Sequence, residues 1–509
     1  MLSSPDVFAH RILQWVRHVP ELVKNFLADQ CICLQIRLVI QGEAYESCFP
    51  SWSGPARHSS FNLRGPHSSF VRQFDCHSPW YPNESVAVRF QVLLNFGLAG
   101  LLVLLGGCDR RATSDASTPP AQTLATPSTT PLDDLLAYAL APHAGDTSAD
   151  REIRRLQDRV RQARDPGPWI ERLGWAFVAK ARASFDPGYY RLASHCADAL
   201  EQRNPGSPEG QLLRGHILHQ EHRFREAEPV ARQLAKERGL AADFGLLGDV
   251  LMEQGRLNEA AEAYQQMMDL RPDLHAYARG AHLRWLKGDL AGALELIDMA
   301  VGAASPQSPE AAAWVTTRLG QLQLQAGNRE AAEQACQAAL QFQADYAPAL
   351  LLRGRLLLGD QQSTEAIAAL QQAVRINPLP EYQWTLAEAL RAADRVDEAE
   401  AIEVALDRTG ASTDPRTYSL YLATTGKFPD LAVRLAAAEL DQRADVFTHD
   451  AVAWGLAAAG KNSEAWDAMQ RALAEGTLEP RLFFHAAIIA RKAGHAKEAE
   501  IWFERASES

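Results

Sequence analysis

The sequence lacks most of the marks that announce chemistry. It has no CxxC pair, and its seven cysteines (Cys31, Cys33, Cys48, Cys76, Cys108, Cys196 and Cys336) form no disulfide framework or zinc spacing. It has no HExxH, HxxEH or GxSxG motif and no glycine-rich dinucleotide fingerprint. No catalytic residue, metal site or cofactor is therefore expected. Basic residues are too few for a nucleic-acid partner: 51 Lys and Arg against 63 Asp and Glu leave a net charge of −12, whereas phosphate binding needs a basic face. Methionine is absent between Met1 and Met252.

What is present is a ladder of alanines. Ala193, Ala227, Ala260, Ala293, Ala332, Ala366, Ala399, Ala432, Ala465 and Ala499 succeed one another at steps of 33 or 34 residues, with a single step of 39. Glutamate directly precedes six of them, and a glycine lies five residues before six: Gly188, Gly255, Gly288, Gly327, Gly460 and Gly494. Gly426 stands six before its alanine. Two helices per step, meeting at a small residue, is the simplest physical reading. Alanine lets two backbones approach closely, and glycine between the helices takes a left-handed turn. A fixed period of this size means a stacked array in which neighbouring units share one continuous core. The longer step predicts an insertion within Val301–Glu310, which holds Pro306 and Pro309.

The clearest unit runs Phe244, Leu247-Gly248, Leu251, Gly255, Leu257, Ala260, Tyr264, Met267, Pro272. This pattern resembles the tetratricopeptide repeat. The resemblance spans about residues 169 to 507 and implies an all-α, right-handed superhelical solenoid of about ten helix-turn-helix repeats, with the first helix of each repeat lining a concave groove. In that frame the groove positions fall on Trp285, Trp314, Arg355, Trp384, Arg391, Tyr421, Trp454, Phe484 and Arg491, with His282, Gln321, Glu388 and Asp450 among them. Aromatics beside arginine are the usual content of binding hot spots, so the expected partners are other proteins or peptides. Inter-helix core is the alternative place for any one of these aromatics. The first unit departs from the pattern, with Lys180-Ala181 where Leu-Gly is expected. The Lys and Asn clamp with which some members of the family hold a peptide's terminal carboxylate is not found at the matching positions.

Ahead of the array the chain reads differently. Residues 1–87 are poor in alanine and show no clear period, and read as a mis-assigned start or a disordered extension. Residues 88–107 combine Arg89, an apolar core from Val92 to Leu105 and small residues before Cys108. That is a signal-peptide pattern, too short for the roughly 20 residues of a membrane-spanning helix. Leu105-Gly106-Gly107-Cys108 resembles the lipobox of bacterial lipoproteins, which implies a lipid on Cys108 and a place in the bacterial cell envelope facing the periplasm. Residues 108–131 are rich in Ser, Thr, Ala and Pro and form a tether with too little apolar content to fold. Residues 132–166 predict two N-terminal helices before the repeat domain, 167–509. The arginine run from Arg151 to Arg164 is interleaved with Glu152 and Asp158 and reads as a solvated helix face, with a lipid-facing patch as the alternative.

Three further features carry alternatives. His216, His219 and His222 place imidazoles at three-residue spacing, so a metal-handling or enzyme-accessory protein is one alternative. Gly455–Asn462 nearly spells a phosphate-binding loop, but Asn462 replaces the Ser or Thr that binds magnesium, and the stretch sits at the end of a repeat's first helix. Ile501, Trp502 and Phe503 lie in the last predicted helix and offer a self-association surface, with inward packing as the simpler reading. A single-pass membrane protein with a true N-terminal domain is the remaining alternative. The reading that fits most of the chain is a membrane-tethered, non-catalytic scaffold in envelope or secretion-complex assembly.

Overall fold

The computed structural model describes residues 131–508. The sequence features at residues 1–130, Cys108 among them, lie outside the described residues. Those described form 22 helices and no strand. Two precede the repeats: α1 (Pro131–Leu136) and α2 (Ser148–Gln162). Thr147 and Asp150 build a reciprocal cap at the start of α2.

Ten helical hairpins follow. They are α3 (Gly167–Ser184) with α4 (Gly188–Arg203), α5 (Pro208–Gln220) with α6 (Phe224–Glu237), α7 (Ala241–Glu253) with α8 (Leu257–Leu270), and α9 (Leu274–Leu286) with α10 (Leu290–Gly302). Next come α11 (Pro309–Gln325) with α12 (Arg329–Phe342), α13 (Ala347–Gly359) with α14 (Ser363–Ile376), and α15 (Pro380–Ala392) with α16 (Val396–Thr413). The last three are α17 (Pro415–Thr425) with α18 (Pro429–Leu440), α19 (Val446–Ala458) with α20 (Asn462–Leu473), and α21 (Pro480–Lys492) with α22 (Ala496–Glu508). The all-α superhelical solenoid expected from the period is therefore the fold. The insertion behind the long step lies in the connection from α10 to α11.

Each ladder alanine lies on the second helix of its hairpin, and all ten are buried, none more than 2% exposed. The turn between the two helices explains the glycines. Gly255, Gly288, Gly327, Gly460 and Gly494 all have positive φ, as does Gly426. Where the residue five before the alanine is not glycine, the chain still makes the turn: His222, Gln361 and Asp394 have φ of 58°, 60° and 57°. The left-handed step is thus demanded by the hairpin, and glycine merely makes it without strain. Gly188 differs from expectation. It opens α4, and the left-handed residue of the first hairpin is Phe185.

The solenoid closes on itself. The intra-hairpin turn at Gly255, in the third hairpin, abuts the carbonyl of Ala444, in the linker to the ninth. The turn at Gly288, in the fourth hairpin, abuts Gly476, in the linker to the tenth. In the same sense Phe185 packs near Tyr346, and Arg182 pairs with Glu310 at 2.7 Å. Five to six hairpins therefore complete one superhelical turn, and successive turns touch.

Candidate interaction surface

The first helices of neighbouring hairpins are stitched together by polar side chains. Asp249 on α7 receives two bonds of 2.7 Å from Arg279 on α9. Arg318 on α11 bonds His282 on α9 and Gln321 on its own helix, both at 2.7 Å. Arg355 on α13 pairs with Glu381 on α15 at 2.8 Å. The Arg355–Glu381 pair is still about 40% exposed, so water reaches this wall although the turns of the solenoid surround it.

That enclosure shifts the titrating groups. Burial pushes the Glu388 carboxyl up to about 8, against the pull of Arg355 and Arg481. Burial, and secondarily Arg318, pulls the His282 imidazole down to about 3. Burial also draws the Arg318 guanidinium below its ordinary value, with Glu479 and Tyr346 opposing. The Glu381 carboxyl is held low by Arg355, which outweighs its burial. The inner wall is thus a surface of opposed charges in a partly enclosed setting, where an unmatched charge is costly and a matched one is selective.

The expected groove residues divide by location. Arg355 lies on this wall. Trp314 is half-buried, its ring 6.4 Å from that of His275. Trp384 is half-buried with its ring edge on Tyr421, and its indole N–H lacks a well-aligned acceptor despite the nearby Glu388 carboxyl. Arg391 turns to Glu403 of its own hairpin at 2.8 Å. Arg491 is exposed near the end of α21.

Trp285, Tyr421, Trp454 and Phe484 are buried. Trp454 stacks on His485 at 4.1 Å and donates to the Thr424 hydroxyl at 2.9 Å, while the Tyr421 hydroxyl accepts from Lys427 at 2.8 Å. These aromatics fill space between helices, and Asp450 is equally internal, bonded to His485 at 2.8 Å. The wall residues Asp249, Arg279, Arg318 and Glu381 had no place in the expected set. Their signal was opposite charges roughly one repeat apart on successive first helices.

The other features are also located. His216 lies against Trp175, His219 meets Phe224 edge-on, and His222 sits past the end of α5 in the left-handed turn, so the three imidazoles do not share one helix face. Burial lowers His216 to about 3. No group of three metal-ligating side chains occurs among the described residues. Gly455–Asn462 runs from the end of α19 through the Gly460 turn into α20. The α2 arginines are engaged locally, Arg155 with Glu152 and Arg161 with Asp158. Trp502 packs inward on Phe483, with Arg505 over both rings, whereas Ile501 is exposed. No helix among the described residues is long and apolar enough to cross a membrane.

Ten stacked hairpins sharing a continuous core define an α-solenoid repeat protein. Residues 218–275, 246–309 and 351–413 match the tetratricopeptide repeat, so the chain carries tetratricopeptide repeats. No curated protein matches it. Among solved structures it resembles the human IFIT1 dimer with PPP-AAAA, at 14% identity over 74% of this chain and 93% of that one, with a TM-score of 0.41. It also resembles the APC/C hetero-tetramer Cut9–Hcn1, at 16% identity over 72% of this chain, with a TM-score of 0.40; the match spans 63% of that chain, less than two thirds of its length. PilF of Pseudomonas aeruginosa is similar at 14% identity over 42% of this chain and 96% of its own, with a TM-score of 0.35. None of these likenesses bears on function. Tetratricopeptide repeats bind other proteins, and a protein-interaction scaffold is the class this chain falls in.

Proposed function

We propose that the chain is a non-catalytic scaffold of the bacterial cell envelope, anchored by a lipid on Cys108 and facing the periplasm, where it gathers protein partners during assembly of envelope or secretion complexes. The observation that carries the binding role is the inner wall built from Asp249–Arg279, His282–Arg318 and Arg355–Glu381. Its charges are set in pairs along successive helices and are partly open to water, as a surface that reads charge pattern needs. The tether is supported by its composition: residues 108–131 are rich in Ser, Thr and Pro. A spacer of this composition would hold the solenoid off a membrane and raise its local concentration there.

The test is expression from the gene's own upstream region, comparing wild type with Cys108→Ala by membrane fractionation and mass spectrometry. A lipid-modified Cys108 at the mature N-terminus, with release of the alanine variant from the membrane, supports the reading. A native peptide from residues 1 to 80, or membrane attachment unchanged in the variant, overturns the anchor. The binding role is tested separately. A photo-reactive residue at position 355 is expected to crosslink a defined partner in cells, and one on the exposed second-helix position 330 is not.

A further inference from the structure

Where the turns of the solenoid meet, loops meet loops. The carbonyl of Leu478 accepts from the Trp285 indole N–H at 3.0 Å, and the carbonyl of Leu286 accepts from the Thr477 hydroxyl at 2.5 Å. Lys287 pairs with Glu475 at 3.0 Å, Glu253 with Arg443 at 2.5 Å, and Gln325 donates to Glu479 at 2.7 Å. The contact is therefore mainly polar. Its apolar part is small: the Trp285 ring stacks on Phe447 at 5.6 Å.

The cores behind the seam are separate. One apolar cluster runs from Leu218 to Leu322, the other from Leu406 to Ala506. Phe447 is the single side chain from α19–α22 that packs against the first cluster. Apolar contact between turns is confined to a few side chains, Phe447 here and Phe185 against the cluster of Tyr346. Separating the turns would uncover little apolar surface and leave every hairpin interface intact. Because hydrophobic burial dominates cohesion, the seam is weaker than the packing within and between successive hairpins.

The glycines mark the same joint. Gly255 and Gly288 have no room for a side chain, because the carbonyls of Ala444 and Gly476 lie against them. Gly327, Gly426, Gly460 and Gly494 make the same left-handed turn with nothing within 4 Å. The backbone approach is thus particular to the seam.

We infer that this seam is a releasable latch: the linkers 441–445 and 474–479 close the solenoid over its own concave wall, and parting them admits a partner to the face that carries His282, Arg318 and Gln321. The latch rests on the reading of the wall as the binding face: closure and occupation of its His282–Arg318 part exclude one another, whereas Arg355–Glu381 stays open to water. The latch is held partly by two ion pairs: Lys287–Glu475, about a third exposed, and Glu253–Arg443, largely buried. Salt screens the first much more than the second, so raising salt shifts the population modestly toward the open form through Lys287–Glu475. A partner that binds the wall pulls the same equilibrium by its preference for the open form.

The test uses the full chain carrying Gln321→Cys and needs no partner. The rate at which a polymer-linked maleimide reaches residue 321 is read peptide by peptide, beside the radius of gyration from small-angle scattering and helicity from circular dichroism. Gly288→Ala forces the seam apart, and Gly460→Ala imposes the same local turn strain away from it. The expected result is labelling several-fold faster and a larger radius in Gly288→Ala, both near wild type in Gly460→Ala, with helicity equal in all. Salt should move the parent chain in the same direction. A charge reversal, Glu475→Lys, should open the latch, and the swap Lys287→Glu/Glu475→Lys should close it again. Equal labelling rates and radii in Gly288→Ala and Gly460→Ala overturn the latch. If Gly288→Ala does not fold, the salt series on the parent chain decides: labelling at 321 that accelerates only as helicity is lost overturns it equally.

Discussion

The indole N–H of Trp285 donates to the carbonyl of Leu478 across a sequence separation of 193 residues. Trp285 is 5% exposed, and its ring also stacks on Phe447. Replacing it by phenylalanine keeps an aromatic ring but removes the donor and part of the buried indole, leaving a carbonyl without its partner. The expected loss is about 1–2 kcal/mol. Trp285→Ala removes the ring as well and should cost about 3–5 kcal/mol. Thermal melts followed by circular dichroism order the three proteins. Equal melting of the wild type and the phenylalanine variant would mean that the bond contributes nothing in solution.

Gln361 holds a left-handed backbone, φ 60°, in the turn between α13 and α14. A residue with a Cβ pays steric strain in this region that glycine avoids, while glycine loses more freedom on folding. The balance favours Gln361→Gly by about 0.5–1 kcal/mol. Asp394, at φ 57° in the next hairpin, should gain less, since Asp tolerates this conformation better. A melting temperature that falls in Gln361→Gly would show that the turn is not strained.

These two residues also divide what the sequence can reveal. The hairpin turn repeats at a fixed offset from each ladder alanine, so one periodic signal located it, even where Gln361 stands in for glycine. The ladder alanines themselves were legible for the same reason. The Trp285–Leu478 contact repeats nowhere. It joins a side chain to a carbonyl, and a carbonyl has no letter in the sequence. Its neighbour Gly288 looks the same in sequence as Gly460, although only the first is crowded by a second turn. The wall was partly legible. Arg355 and Glu388 fell on the expected face, but Tyr421 and Trp454 did not stay open to a partner, because a first helix packs on its own second helix and on the next first helix as well as facing the groove. Helical period alone does not separate those faces.

Gly248 on α7 faces the ring of Tyr264 on α8, and a methyl group there would overlap that ring. The Tyr264 hydroxyl donates to Asp249 at 2.8 Å, and Asp249 holds Arg279. Gly248→Ala should therefore do two things. It overpacks the hairpin, at about 1–3 kcal/mol, and it displaces the tyrosine that helps fix one carboxylate of the inner wall. The companion variant Tyr264→Phe keeps the packing and loses only the hydroxyl. If Gly248→Ala destabilises no more than Tyr264→Phe, the close approach of the two helices is not what requires glycine here.

The pH dependence follows from groups shifted in opposite directions. Burial raises Glu388 from 4.5 to about 8. Its folded form keeps a proton that the unfolded chain has released, so its contribution is complete below about pH 4.5 and is lost as pH rises to 8. Burial lowers His216 and His282 from 6.5 to about 3, and His222, His275 and His449 shift the same way. For these the unfolded chain binds the extra proton, so stability rises from pH 3 to 6.5. Burial also raises Glu171, Asp298 and Glu439, so between 4.5 and 6.5 five histidines oppose four carboxyls, and above 6.5 the histidines no longer titrate. Stability should therefore peak near pH 6.5 and decline toward 8. Glu388→Gln removes the acid and leaves Arg355 and Arg481 facing a neutral side chain. Its denaturation midpoint, measured across pH 5 to 8.5, should climb to pH 6.5 like the wild type's and then stay level. A decline above 6.5 that persists in the glutamine variant would assign it to another group, and Glu388 would then be ionised in the folded protein at neutral pH.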